Sequence, residues 1–108
     1  MPRMRCSRPP TGISKRRRAI EVMPTICEFY GLVIRMYWSD HAPPHFHVHY
    51  AEFEAHVRID TLALLRGSLP RRAHALVLEW AALHRAELME DWDLCNSHQM
   101  PKQIEPLR

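Results

Sequence analysis

Glycine is scarce in this 108-residue chain, three in all, and no stretch of backbone reads as a phosphate-cradling nest. Its three cysteines, Cys6, Cys27 and Cys95, are odd in number and have no paired spacing. That excludes a disulfide framework and suits a reducing, cytoplasmic setting. No run comes near the roughly 18 consecutive apolar residues of a membrane span, so no membrane role is expected. The length admits one small domain and no second core.

Acidic residues are almost missing from the beginning. Residues 1–22 hold seven of the 15 lysines and arginines but only Glu21 among the 12 acidic residues. The remaining eight cations and eleven anions give residues 23–108 a net charge of −3. The high pI therefore belongs to the leader, and whole-chain charge is poor evidence for a nucleic-acid binder. The leader lacks the apolar segment of a secretory signal. Its prolines and arginines, without an apolar period, describe a disordered basic arm or an overextended start. A single domain is expected from Met23 to Arg108.

Within that domain the pattern is first extended and then helical. ICEF, YG and LVIRMYW read as strand, turn and strand. Leu32, Ile34, Met36 and Trp38 share one face, and Val33, Arg35 and Tyr37 share the other. Pro43 and Pro44 make SDHAPP a loop. HFHVHY then alternates, with His45, His47 and His49 on one side and Phe46, Val48 and Tyr50 on the other. A short reversal at Ala51–Glu52 leads into FEAHVRID, and LALL offers a further short strand. From Ser68 the period becomes helical, with Ala73, Leu76, Val77, Trp80, Leu83, His84, Glu87 and Leu88 on one stripe. This predicts an α+β fold: a three- to four-stranded antiparallel meander with one long helix, from about 70 to the low nineties, on one face. Glu79, Glu90, Asp91 and Asp93 read as solvated helix surface, and Ile104 as a short strand in a turn-rich tail.

The chemistry concentrates in DHAPPHFHVHY, residues 40–50, which holds four of the eight histidines. On the predicted sheet, Arg35, Tyr37, His45, His47, His49, His56 and Arg58 gather on the solvent-facing side. Three functions compete with the plain alternative of a wet strand face that happens to use histidine. The first is a metal centre for zinc or another divalent transition metal, with Asp40 or His41 completing the shell from the loop. The second is acid–base chemistry on a phosphodiester by His45 and His47, with Arg35 or Arg58 holding phosphate and Tyr37 donating or stacking. The third is a non-catalytic protein-binding surface.

MPTICEFYGLVIRMYWSDHAPPHFHVHYAEFEAHVRI, then GSLPRRAHALVLEWAALHRAELMEDW and IEPL, resembles the small bacterial family catalogued as domain of unknown function 4160. Its signature, an arginine-bearing strand followed by DHxPPHFHV, stands here as Asp40, His41, Pro43, Pro44, His45, Phe46, His47 and Val48. The resemblance implies a small cytoplasmic protein, sometimes encoded beside another small protein in a toxin–antitoxin-like arrangement. The expected function is then a component of such a module, its histidine and arginine face engaging RNA or that neighbouring protein. The resemblance also narrows the candidate metal ligands to His41, His45 and His47. His49 falls at a freely variable position of the motif, and Ala51 stands where the motif's turn carries glycine.

Overall fold

The computed structural model describes residues 24–108, so the expectations for the leader lie outside the described residues. Five strands, β1 (Thr25–Phe29), β2 (Leu32–Arg35), β3 (His45–Tyr50), β4 (Phe53–Arg58) and β5 (Leu64–Gly67), precede two helices, α1 (Arg71–Leu83) and α2 (Arg85–Asn96). The strands form one antiparallel sheet in sequence order, so every connection is local. The α+β meander is as predicted, with one strand and one helix more than expected.

The extra strand follows from Gly67. Only the second half of LALL is strand: Leu62 takes φ +63°, and β5 runs from Leu64 through Arg66 to Gly67, whose φ is +76°. A Cβ there would lie 2.0 Å from the Glu54 carbonyl oxygen, so only glycine permits this approach to β4. The two tight reversals need left-handed backbone as well. Tyr30–Gly31 joins β1 to β2 at φ +48° and +83°, and Ala51 takes φ +51° between β3 and β4.

The apolar strand faces carry the core. Leu32, Ile34, Phe46, Val48 and Val57 are fully buried together with Val77, Trp80 and Ala81 of α1. Trp80 lies against Phe29 and Phe46 at ring separations of 5.5 and 6.0 Å. Its indole N–H donates to the Glu105 carbonyl at 2.8 Å, which ties the C-terminal tail beneath the core. Ile104 is no strand, but its N–H donates to the Ile26 carbonyl and so covers the outer edge of β1.

The predicted single helix breaks at His84, whose φ of −123° leaves the helical region. Its imidazole pairs with Glu87 in the first turn of α2. The buried stripe nevertheless keeps its 3.6-residue spacing across the break. Leu83, expected on that stripe, is exposed, while Leu88, Asp91, Trp92 and Cys95 continue it as the buried face of α2. Asp91 is thus not solvated surface: it is 1% exposed, and its Oδ1 accepts the Lys102 backbone N–H at 2.8 Å.

A buried histidine cluster as candidate metal centre

The two-residue turn at Ala51–Glu52 pairs Tyr50 with Phe53. Counting back along the ladder, it sets His49 opposite Glu54, His47 opposite His56 and His45 opposite Arg58. On the other flank of β3, Arg35 lies opposite His47. Directly opposed residues share a face, with Cβ atoms about 4.5–5.5 Å apart. The register alone therefore brings these imidazoles together.

The expected gathering of side chains occurs, but the expected exposure does not. His45 and His47 are 7% and 4% exposed. They are shut in by their own neighbours. The Tyr37 ring stacks on His47 at 4.0 Å and 14°, His56 lies 4.0 Å from His47 and 5.6 Å from His45, and Trp92 of α2 approaches His45 at 5.3 Å. Periodicity distinguishes the two faces of a strand, but it cannot say that a loop and a second helix fold over the polar one.

Asp40 is the hub. The loop that carries it is anchored by the Ser39 N–H on the Cys95 carbonyl and by Trp38 stacked on His98. From there a single oxygen, Asp40 Oδ2, lies 3.0 Å from both His45 Nε2 and His47 Nε2. Burial acts to raise the Asp40 carboxyl, but the His47 hydrogen bond, the His45 charge and the His41 amide outweigh it, and the group sits below its ordinary value. His47 is pushed down, first by burial and also by the neighbouring His56 and His45, against the pull of Asp40. His56 is lowered by burial and by His45, against Glu54. Burial, with help from Glu54, raises Tyr37.

The protons around His45 do not balance in a neutral ring. Its Nδ1 lies 2.7 Å from the Pro43 carbonyl, which can only accept, so Nδ1 carries the hydrogen. A neutral His45 then presents a lone pair at Nε2, 3.0 Å from a carboxylate oxygen that is also a lone-pair donor. Either a second proton or a cation must lie between them.

Ligating nitrogens of His45, His47 and His56 all lie within 4.8 Å of one another. Four donors about 2.0–2.1 Å from one tetrahedral ion stand about 3.3 Å apart. The 3.0 Å spacings from Asp40 to the first two histidines are close to that figure, and the imidazole nitrogens, within 4.8 Å of one another, would have to draw in to reach it.

The other sequence candidates are placed as follows. His41 is outside the cluster, its side chain 94% exposed and its Nδ1 3.2 Å from Asp40 Oδ1. Arg58 shares the face, opposite His45, but its guanidinium is engaged by Asp60 at 2.6 and 3.1 Å. Arg35 is half-buried beside His47, with its Nε unpaired. His49 is half-buried at the far end, 3.9 Å from Glu54. His56 belongs to the cluster in place of His41, and Glu54 stands 3.6 Å from it. The alternation of FEAHVRID together with the two-residue turn was the signal for His56. Asp40 was singled out from the motif as a loop residue that could complete a metal shell, but its contact with both His45 and His47 depends on where the loop folds.

No helix among the described residues is long and apolar enough to cross a membrane. The chain matches no curated protein and no solved structure. A family model does match residues 31–93, more than half of the chain, and that span holds every residue of the cluster. The chain belongs to the family described as domain of unknown function (DUF4160).

Proposed function

We propose that this protein binds a divalent transition metal, zinc or an ion of similar preference, through His45, His47 and His56 with Asp40 as the fourth donor. The observation that carries the reading is the His45 proton imbalance. An ion between His45 Nε2 and Asp40 Oδ2 satisfies both lone pairs, while the Pro43 carbonyl holds the opposite ring nitrogen in the required tautomer. Burial keeps His47 and His56 neutral near pH 7, the form that ligates. Three nitrogens and one carboxylate oxygen are a borderline donor set, which suits zinc better than magnesium or calcium.

Elemental analysis of untagged protein, followed by zinc titration, tests this. Near-stoichiometric metal is expected, lost in His47→Ala and His56→Ala but retained in His41→Ala. Retention in His56→Ala with loss in His41→Ala would restore the ligand set expected from sequence. Failure of the wild type to bind added zinc would end the metal reading.

A second reading keeps the toxin–antitoxin-type module, and one observation favours a protein partner over RNA. The edge of β1 is covered by the tail, whereas all four residues of β5 at the other edge are exposed, Leu64 and Leu65 among them. An open edge strand with apolar side chains accepts a further strand from a partner. Co-expression with the product of the adjacent gene should yield a complex that Leu65→Lys weakens. Two proteins that elute separately would exclude it.

A further inference from the structure

The metal reading leaves open what the ion would do, and the surroundings of the cluster are not symmetric. Three sides are closed. His47 lies under the Tyr37 ring, Trp92 flanks His45, and the strand backbones form the floor. The fourth side opens into a cleft of about 280 Å³. His45 and His56 line it with Asp40, Pro43, Leu65 and Arg66, and His47 does not.

Arg66 stands at the mouth, in register opposite His56 across β4 and β5. It is exposed, and no ion pair engages it among the described residues. Arg58, on the neighbouring strand β4, differs: its guanidinium is closed on Asp60. A guanidinium left free beside a cleft is a bidentate donor for a carboxylate or phosphate. Charge points the same way. A divalent ion with Arg66 outweighs Asp40 and Glu54 by one positive charge, and three neutral imidazoles contribute none.

Resting on the metal reading, we propose that this cleft admits a small oxyanion, a carboxylate or a phosphate, with one oxygen on the ion and the others on the Arg66 guanidinium. The ligand class is set by these two cationic partners on one side of an otherwise closed centre. Leu65 at the rim gives the ligand an apolar flank.

The test loads the full chain with Co²⁺, whose visible spectrum reports changes in its ligands, and titrates inorganic phosphate and acetate separately. A saturable spectral change is expected for at least one anion, and the tighter of the two identifies the class. Arg66→Ala should bind Co²⁺ with unchanged stoichiometry but hold the anion at least tenfold more weakly. Arg72→Ala, on α1 in a different cleft, should match wild type. A stoichiometric Co²⁺ protein whose spectrum ignores both anions overturns the oxyanion proposal and leaves the metal reading standing. So does Arg66→Ala binding the anion as tightly as wild type. A chain that binds no Co²⁺ removes both.

Discussion

The two faces of β3 are buried to a similar depth by opposite means. Phe46 and Val48 disappear beneath Trp80 and Val77, where exclusion of apolar surface from water is enough and the contacts carry no direction. His45 and His47, one residue away on either side, are covered by a loop carboxylate, a tyrosine ring and other imidazoles. The first burial tolerates repacking. The second requires that every proton find a partner, because a polar group buried without one costs about 1–3 kcal/mol. The apolar face therefore supplies stability, and the polar face is a site whose order depends on its protons or on an ion.

The apolar side breaks most severely. Trp80→Ala removes the largest fully buried side chain and the tail anchor at Glu105, and should cost about 3–5 kcal/mol in chemical denaturation. A loss below about 1 kcal/mol would mean that the core lies elsewhere.

Two carboxylates, the buried Asp91 and the part-buried Asp40, sharpen the contrast, since they should respond to pH in opposite senses. Asp91 has an unpaired Oδ2, and burial pushes it from 3.8 up to about 6. A carboxyl raised in the folded state contributes stability in full below pH 3.8, and that contribution is lost as pH rises through about 6. Asp91→Asn keeps an oxygen for the Lys102 N–H, so it should gain up to about 2–3 kcal/mol at pH 7.5 and nothing near pH 3.5. Melts across that range settle it, and a variant that is less stable at pH 7.5 would refute the account.

Asp40 should behave the other way. Its carboxyl is lowered, so its contribution is present above pH 3.8 and lost as pH falls through the folded value. In metal-free protein, Asp40→Asn should lose about 1–2 kcal/mol at pH 7 and converge on wild type in acid. A neutral or stabilising result at pH 7 would show that the histidines do not depend on this oxygen.

The smallest expected effect is shared by both faces, in the turn that sets their register. Ala51 holds φ +51°, so Ala51→Gly should stabilise by about 0.5–1 kcal/mol without altering metal content. A destabilised variant would argue that the turn is held by contacts rather than by local backbone preference.

The meander, the α1 stripe and the composition of the histidine face could be read from the sequence because each rests on local periodicity. Alternation places His45 with His47, and the two-residue turn, once located, places His56 beside them. The helix break at His84 escaped because the buried positions on either side of it, Val77, Trp80 and Ala81 before and Leu88, Asp91, Trp92 and Cys95 after, keep one 3.6-residue spacing without interruption. The fifth strand was half legible: LALL carries the apolar signal, but the close approach of Gly67 to Glu54 is a contact between strands.

By itself, then, the sequence determined which residues share a face, because the alternation of side chains along a strand is a property of the chain. Only the tertiary structure decided that the polar face would be covered. The position of Asp40 depends on a loop whose anchors, Cys95 and His98, lie more than fifty residues away in α2 and just beyond it. Contacts across such a separation leave no period in the sequence. They determine whether His45 and His47 stand on a wet surface or in an enclosed cluster with His56.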